Sequence, residues 1–368
     1  MDHERLCQIA LSNIKKIGPV HAKSLVGHFG SASAIFAASQ YELENLEGIG
    51  SVRAGAIARF NGFSECEKTL KQAENQGLEL LFLSDPAYPR LLLECNDPPT
   101  LLYCKGKADL NVPRMVAVVG TRRCSDYGRH QTEKLIRELA GEQVTIVSGM
   151  AYGIDGVAHK TALEAGLPTI GVMAHGLHTV YPPQHYSLSR EMIKHNGALI
   201  SEFHPGIGPE MHHFPVRNRI VAGICKAAIV VETRVDGGSM GTAKFAFDYH
   251  RDVFAFPGKV TDIKSSGCNL LINKLKASLI TGADSFIEAM RWQDERLPEK
   301  QNVQLPLFSD IDPEATTIVN LLGIHGTLPI DELYLRSGVT ATKVASIVLQ
   351  LELTGMLKCL PGKRYRLR

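Results

Sequence analysis

The chain has 368 residues, of which 44% are hydrophobic and 21% are charged, and its formal net charge is +2. This composition is ordinary for a soluble protein of two or three globular domains, and the near-neutral total excludes a polybasic tail. None of the eight cysteines forms a Cys-x-x-Cys pair, which argues against a zinc ribbon and against a disulfide framework. The sequence shows no signal-peptide pattern and no run of about 20 apolar residues, so we expect a cytoplasmic protein without membrane contact.

Residues 1–62 are predicted to form a helical domain with an internal repeat. The segments 17–22 (IGPVHA) and 49–54 (IGSVRA) share the pattern Ile-Gly-x-Val-x-Ala. Such a repeat indicates a duplicated helix-hairpin-helix of the SAM-like kind, in which Gly18 and Gly50 would allow a positive φ in the turn. These hairpins either hold a phosphate on their exposed amides or only pack, and the sequence leaves both functions open.

Residues 63–292 are predicted to form an α/β domain. Apolar runs at 78–83 and 101–104 indicate strands at the edge of this domain. Helical patterns such as 128–140 and 183–196 alternate with further runs of β-branched and apolar residues. This alternation predicts an extended Rossmann-like fold with a doubly wound, mostly parallel sheet. Its strands are expected at 115–119, 144–148, 169–173, 199–202, 227–233 and 253–256.

The carboxyl-terminal part of the sequence predicts a separate small domain. Residues 293–311 are polar and contain proline, as is typical of a linker. Residues 312–368 predict a winged helix-turn-helix with helices at 313–322, 330–337 and 340–354. This domain is expected to contact either DNA or another protein. Pro361 and Gly362 would form the tip of the wing, and the basic residues around it are Lys358, Lys363, Arg364, Arg366 and Arg368.

The loop after the first parallel strand is a candidate anion-binding element. Ligands of a doubly wound sheet bind at the carboxyl ends of its strands. Residues 120–128 (GTRRCSDYG) follow directly on a buried strand. Gly120 allows close approach of the backbone to a ligand, and the planar guanidinium of Arg122 suits a phosphate. We therefore expect this loop to bind a phosphate group.

Two further glycine-rich loops follow later strands. These are residues 148–156 (SGMAYGIDG) and 236–244 (DGGSMGTAK), and each leads into a predicted helix. Backbone amides in such turns can hold a phosphate. We expect Asp155 itself to cap the helix that follows it.

Residues 212–219 (HHFPVRNR) place two arginines and an asparagine beside an aromatic ring. Basic groups next to an aromatic residue suit a single strand of nucleic acid, which offers phosphates for pairing and bases for stacking. We expect no metal at His212 and His213, because no carboxylate or cysteine stands at a ligand spacing. No P-loop, His-Glu-x-x-His motif or Gly-x-Gly-x-x-Gly motif is present, so we expect no cofactor and no enzyme activity.

Several long motifs resemble the bacterial DNA-processing protein A family, also called DprA or Smf. They lie at 116–128, 148–159, 213–219, 238–243 and 267–272, and the resemblance covers almost all of the chain. It implies binding of single-stranded DNA by the Rossmann-like domain, a homodimer formed through that domain, and loading of RecA recombinase during natural transformation. The family's DNA-contacting arginine falls on Arg122, and its Arg-Asn-Arg contacts fall on residues 217–219.

The sequence departs from the family pattern in one expected contact. Pro183 and Gln184 follow Tyr181-Pro182, where the family often has a basic residue. We therefore place Tyr181 and Gln184 below the arginines as DNA contacts. The full set of predicted DNA contacts is Gly120, Thr121, Arg122, Arg123, Ser125, Ser148, Gly149, Gly153, Tyr181, Gln184, Phe214, Arg217, Asn218, Arg219, Gly238, Ser239, Thr242 and Lys244.

Two other functions compete with DNA binding. Residues 237–242 (GGSMGT) faintly resemble a loop of nucleotide phosphoribohydrolases in the lysine-decarboxylase-like group, although Ala243 and Lys244 follow where that chemistry needs acids. The second alternative is a nucleotide-sensing regulator whose winged helix reads duplex operators. Turnover of a nucleotide monophosphate would favour the first, and preference for a specific duplex would favour the second.

Overall fold

The computed structural model describes residues 3–293, 313–353, 356–360 and 363–367. The chain divides into two units, Met1–Gln293 and Asp294–Arg368. Within the described ranges no helix has the length and apolar character to cross a membrane. Most of the expected linker, residues 294–311, and the expected wing tip at Pro361 and Gly362 lie outside the described residues.

The first unit begins with six helices. They are α1 (His3–Asn13), α2 (Pro19–Phe29), α3 (Ala32–Ala37), α4 (Gln40–Glu44), α5 (Gly50–Ala58) and α6 (Phe63–Asn75). The predicted repeat is confirmed in its helices, because α2 and α5 each begin at the repeated glycine-containing turn. The expected positive φ is found at Gly50, with φ of +57°, but not at Gly18, whose φ is −82°. Pro19 opens α2 instead, and its ring restricts φ to the helical range.

These helices share a hydrophobic core with the sheet that follows them. Buried Ile9 and Leu25 belong to the same cluster as Leu102 and Leu199 of the sheet. The guanidinium of Arg5 donates to the carboxylate of Asp85 at 2.8 Å and to a backbone carbonyl of the first strand at 3.0 Å. The helical segment and the α/β segment therefore form one unit, and the domain boundary expected after residue 62 stays a prediction.

The central sheet has nine strands in the order β1-β2-β6-β5-β4-β3-β7-β8-β9. β1 and β2 are antiparallel to their neighbours, whereas the pairs from β6 through to β9 are parallel. The doubly wound fold and its two edge strands are thus confirmed. The strands are β1 (Glu79–Phe82), β2 (Leu101–Gly106), β3 (Met115–Val119), β4 (Thr145–Ser148), β5 (Thr169–Val172), β6 (Ala198–Ser201), β7 (Ala227–Val230), β8 (Asp252–Ala255) and β9 (Ser278–Leu279).

Helices cover both faces of this sheet. They are α7 (Arg90–Glu94), α8 (Asp126–Glu138), α9 (Ile154–Glu164), α10 (Tyr186–Lys194), α11 (His213–Gly223), α12 (Ser239–Asp248), α13 (Ser266–Asn273) and α14 (Ala283–Ala289). Alternate residues of β3 enter two different cores, Val116 and Val118 on one face and Ala117 and Val119 on the other. Burial on both faces explains the continuous apolar runs of the parallel strands.

The chain reverses its winding direction between β3 and β7. These strands are neighbours, but α8 after β3 packs into the core with Val116, whereas α12 after β7 packs into the core with Ala117. The two connections therefore separate at the carboxyl edge and leave a crevice between them. Doubly wound sheets bind their ligands in this crevice.

The second unit has the order of a winged helix. Helices α15 (Pro313–His325), α16 (Ile330–Ser337) and α17 (Ala341–Leu353) pack on a sheet of β10 (Thr327–Pro329), β12 (Arg364–Leu367) and β11 (Leu357–Leu360). Buried Ile318, Leu333 and Val344 join the three helices in one core. The predicted helices are confirmed, and the short strand β10 is an addition that the sequence did not indicate.

One buried histidine makes the stability of the first unit depend on pH. His159 of α9 is fully enclosed, its Nδ1 lies 2.7 Å from Oγ1 of Thr169, and its Nε2 has no hydrogen-bond partner among the described residues. Burial lowers the pKa of His159 from 6.5 to about 3. Below a pH of about 6.5 the unfolded chain therefore binds a proton that the folded chain excludes, and stability is lost as the pH falls towards 3.

We predict that His159 accounts for a measurable part of the stability that the first unit loses at acidic pH. Between about pH 7.5 and pH 5, its contribution lowers the free energy of unfolding by about 2 kcal/mol. His159→Gln cannot titrate, so its stability deficit relative to the wild type should shrink by that amount at the lower pH. Chemical denaturation at both pH values measures this. Equal deficits for His159→Gln at the two pH values would contradict the prediction.

Candidate nucleic-acid interface

A cavity of about 1160 Å³ opens at the carboxyl ends of β3, β4 and β7. The three glycine-rich loops after these strands form its floor, and the amino-terminal half of α11 forms one wall. The cavity therefore lies at the crevice where the sheet reverses its winding direction. The predicted DNA contacts that line it are Gly120, Thr121, Arg122, Arg123, Gly149, Tyr181, Phe214, Arg217, Asn218, Gly238, Ser239 and Thr242.

The backbone of the first loop is held close to its neighbours. The N–H of Thr121 donates to the carbonyl of Glu232 at 2.7 Å, and the carbonyl of Thr121 accepts from the N–H of Ile154 at 3.2 Å. Gly153 has a φ of +74°, and a Cβ there would lie 2.2 Å from the Thr121 carbonyl oxygen. Only glycine fits this close approach. Gly153 thus supports the loop from behind and does not line the cavity.

Arg122 and two aromatic residues form a platform at the cavity. The guanidinium carbon of Arg122 lies 5.1 Å from the ring centroid of Phe214, which is a cation–π contact. The ring of Tyr181 lies 5.9 Å from that of Phe214, and 44% of Tyr181 is exposed. The arrangement places an exposed cation beside two aromatic rings, of which Tyr181 is exposed and Phe214 is half-buried. It can pair a phosphate and stack a base at adjacent points.

Besides Arg217, four of the basic residues that the structure describes line the cavity. Arg122, Arg123 and Lys264 line it and form no ion pair in the part of the chain that the structure describes. Arg234 also lines it, but its guanidinium donates to Asp236 at 2.9 and 3.2 Å. Sequence reasoning missed Lys264 and Arg234. Lys264 follows β8, and its position after the carboxyl end of a parallel strand is the signal that indicates a ligand contact.

The hydroxyl groups predicted to meet DNA are used inside the protein. Ser125 caps α8, accepting from the N–H of Gly128 at 3.1 Å and donating to the buried carboxylate of Glu232 at 2.6 Å. Ser148 donates to a backbone carbonyl of β3 at 2.7 Å, and Ser239 donates to Thr233 at 2.7 Å. These serines therefore fix the loops in place. Ser125 and Ser148 do not line the cavity.

Arg217 is buried at the back of the cavity. It is only 4% exposed, and its guanidinium donates to the carbonyls of Gly149, at 2.6 Å, and of Val172. Burial lowers its pKa to about 10, so it stays charged at neutral pH, with the neighbouring carboxylate of Asp155 favouring the charged form. Arg217 thus ties α11 to the ends of β4 and β5, and any contact with a ligand uses only the edge of the side chain.

Asp155 does not cap α9, contrary to expectation. The cap position is Gly153, and Asp155 lies in the first turn, where its carboxylate accepts from the N–H of Ala151 at 3.3 Å. Burial raises the pKa of Asp155, while the charge of Arg217 opposes that shift. Both groups lie beside Gly149: a Cβ there would come within 2.5 Å of Arg217 Nη2 and 2.8 Å of Asp155 Oδ2. Arg217 and Asp155 therefore each stabilise the charged form of the other.

The two residues after Arg217 have different surroundings. Asn218 lines the cavity, and its amide donates to the carbonyl of Gly238 at 3.3 Å. Arg219 is 5% exposed, forms an ion pair with Glu202 and also contacts Asp97, and does not line the cavity. Side chains at successive helical positions point about 100° apart, which separates the Arg-Asn-Arg triplet. Only the first two members of the triplet reach the candidate site.

Two other predicted contacts lie away from the cavity lining. Gln184 is exposed and accepts a hydrogen bond from the hydroxyl of Tyr152. Lys244 is exposed on α12. Both would meet a ligand only if it extended beyond the cavity. Conversely, Met211 and Ile263 line it, and both are largely exposed apolar residues that the sequence did not single out.

The central part of the chain matches the family profile of DNA recombination-mediator protein A over residues 79–291. Residues 304–363 match the DprA winged helix domain, and residues 9–60 match a SAM-like helix-hairpin-helix tandem. Among solved structures, DNA processing protein A from Streptococcus pneumoniae is 32% identical and covers 77% of this chain and 95% of its own, with a TM-score of 0.59.

Two further relatives extend this similarity. The Protein Smf of a Synechocystis species is 31% identical over 99% of both chains. The DNA processing protein A of Helicobacter pylori, whose structure was solved to describe its single-stranded DNA binding mode, is 31% identical over 59% of this chain and 96% of its own, with a TM-score of 0.53. The profile match covers more than half of the chain, and the Synechocystis relative is similar from end to end. The chain therefore belongs to the DNA recombination-mediator protein A family, also called DprA or Smf.

Proposed function

We propose that the chain binds single-stranded DNA along the carboxyl edge of its central sheet. The observation that carries this proposal is the exposed platform in which Arg122 lies 5.1 Å from the ring of Phe214, beside Tyr181. Arg122, Arg123 and Lys264 would pair with phosphates. Bases would stack on the two rings, an interaction that tolerates any sequence.

A single strand suits this cavity better than a duplex does. Tyr181, Met211, Phe214 and Ile263 give it an apolar, aromatic part beside the cations. Stacked, paired bases in a duplex cannot reach such a surface, whereas unpaired bases can turn outwards onto it. The relative from Helicobacter pylori, described as binding single-stranded DNA, supports this choice.

We further propose that the protein acts in the cytoplasm as a homodimer that protects incoming DNA and transfers it to RecA recombinase. Membership of the DNA recombination-mediator family supports the transfer of DNA to a recombinase. The family resemblance supports a dimer formed through the Rossmann-like domain. Sedimentation tests the dimer. The transfer is tested by measuring ATP hydrolysis by RecA on single strands that are already coated with single-strand-binding protein. Addition of the protein should shorten the lag before RecA hydrolyses ATP.

A non-enzymatic role fits the charges of the cavity better than glycoside cleavage does. Glycosidic hydrolysis uses two carboxyl groups that flank the scissile bond. Among the described residues lining the cavity, Asp155 alone is acidic, and it is buried against Arg217. Release of a free base from a nucleotide monophosphate would contradict this proposal.

We predict that the platform carries the affinity for single strands. Phe214→Leu keeps an apolar side chain but loses the aromatic stacking surface, and should weaken binding of an oligothymidine by about 1–3 kcal/mol, or about 5- to 150-fold. Arg122→Ala should weaken it as well. Fluorescence anisotropy with a labelled strand, and with a duplex of the same length, measures both effects.

The control for charge is Arg137→Ala. Arg137 lies at the other end of α8, where it pairs with Glu133 and Glu164, so its loss removes one positive charge far from the cavity. This variant should bind like the wild type. If Arg122→Ala and Phe214→Leu also bind normally, the DNA site lies elsewhere. A preference for the duplex would instead favour the alternative function, a nucleotide-sensing regulator whose winged helix reads duplex operators.

We predict that salt weakens binding through the same arginine. Each phosphate contact on a single strand contributes about −0.7 to the slope of log K against log salt concentration. Arg122→Ala should therefore reduce the magnitude of that slope by about 0.7, whereas Phe214→Leu should lower the affinity and leave the slope unchanged. Titrations at four or five salt concentrations measure the slopes. An unchanged slope for Arg122→Ala would show that Arg122 does not pair with a phosphate.

Arg217 is predicted to support the site from within the protein. Its removal leaves the carboxylate of Asp155 buried beside two unpaired carbonyls, a change that typically costs about 3–5 kcal/mol. Arg217→Met should therefore lower the melting temperature, and Arg217→Met combined with Asp155→Leu should recover part of it. Differential scanning calorimetry measures this. A stable Arg217→Met that has lost only DNA affinity would instead make Arg217 a direct contact.

A further inference from the structure

We propose a binding site for a zinc-class metal ion at Glu210, His212 and His213. Each of these side chains brings one nitrogen or oxygen atom within 4.8 Å of those of the other two. Nδ1 of His212 lies 3.5 Å from the carboxylate of Glu210. The sequence spacing predicts no carboxylate ligand for this pair of histidines, whereas the fold supplies one at Glu210.

A backbone turn brings the three residues together. The N–H of His213 donates to the carbonyl of Glu210 at 3.0 Å, which closes a turn immediately before α11. The ring of His212 lies edge-on to that of His213, with centroids 4.3 Å apart. Glu210 and His212 are exposed, so small rotations of their side chains suffice to bring the ligand atoms to the separation of about 3.3 Å that tetrahedral zinc requires.

The second observation is an enclosed nitrogen that lacks a partner. His213 is 9% exposed, and its Nδ1 is buried without a hydrogen-bond partner among the described residues. Buried polar atoms are nearly always satisfied, so an exception calls for a ligand or a water molecule. His213 and Glu210 line a cavity of about 240 Å³, separate from the DNA cavity.

The same small cavity contains a second buried atom of this kind. Glu202 also lines it, and Oε1 of Glu202 has no partner in the described part of the chain, while its other oxygen pairs with Arg219. A hydrated cation bound at Glu210, His212 and His213 would bring water into this cavity. That water can donate to Oε1, which satisfies an acceptor that the described residues leave unpaired.

The donor set selects the class of metal. Imidazole nitrogens favour Zn²⁺ and similar transition ions over Ca²⁺ and Mg²⁺, which prefer oxygen. Two histidines and one glutamate leave a fourth position open for water. The ion would fix the turn before α11, next to Met211 and Phe214, which line the DNA cavity. The metal site itself does not rest on the proposed DNA binding.

The test is a titration of the full-length, chelator-treated protein with Co²⁺ and Zn²⁺. Tetrahedral Co²⁺ gives intense visible absorption bands, which Zn²⁺ should abolish by displacement. We expect one equivalent to bind with these bands. His212→Ala and Glu210→Ala change exposed side chains and should fold normally; each should weaken binding by at least about tenfold, since even the loss of a group behind a ligand typically costs 10- to 100-fold.

A matched control is available on α10. His195 lies 3.7 Å from the carboxylate of Glu191, and among the described residues no third histidine, cysteine or carboxylate completes a metal-binding cluster with this pair. His195→Ala should bind metal like the wild type. Equal affinity and spectra in the wild type and in His212→Ala, or only weakly absorbing octahedral Co²⁺ in the wild type, would overturn the proposal. Both readouts are independent of DNA, so failure of the metal site and failure of the DNA site are distinguishable.

Discussion

The candidate site depends on one buried charge, the guanidinium of Arg217. Parallel strands end in carbonyl groups that point into the crevice, and those of Gly149 and Val172 accept hydrogen bonds from this side chain. Its charge in turn stabilises the buried carboxylate of Asp155. The interaction joins α11 to the loops after β4 and β5. Without it, the wall that carries Phe214 would lose these hydrogen bonds to the loops after β4 and β5.

This arrangement divides the basic residues of the site into two groups. Arg217 and Arg219 are buried and bonded to protein atoms, whereas Arg122, Arg123 and Lys264 carry no ion pair among the described residues. A buried, paired charge contributes little to an external ligand, because its hydrogen bonds are already made. Free charges near an aromatic surface can still be neutralised by a phosphate. The site therefore combines buried, paired charges in its interior with cations at its rim that form no ion pair in the described part of the chain.

Much of the fold followed from the sequence because burial on both faces leaves a strong pattern. The strands β3 to β8 lie within a few residues of their predicted positions, and the three glycine-rich loops meet at one edge as their order along the sheet requires. The orientation of individual side chains did not follow. Arg217, Asn218 and Arg219 are adjacent in sequence, yet helix geometry separates them, and the acidic partners Asp155 and Glu202 are distant in sequence from the residues that they neutralise.

Side-chain positions that the sequence does not reveal also include the carboxylate of Glu210, at the turn before α11. Spacing rules for metal ligands assume regular elements, but Glu210 approaches His212 through an irregular turn closed by a single backbone hydrogen bond. That turn connects β6 to α11 and so lies between two cavities, with Met211 and Phe214 towards one and Glu210 and His213 towards the other. An ion bound on one side would restrict the backbone that presents Phe214 on the other. Metal binding and base stacking would then be thermodynamically linked, and by reciprocity DNA would change the affinity for the metal to the same extent.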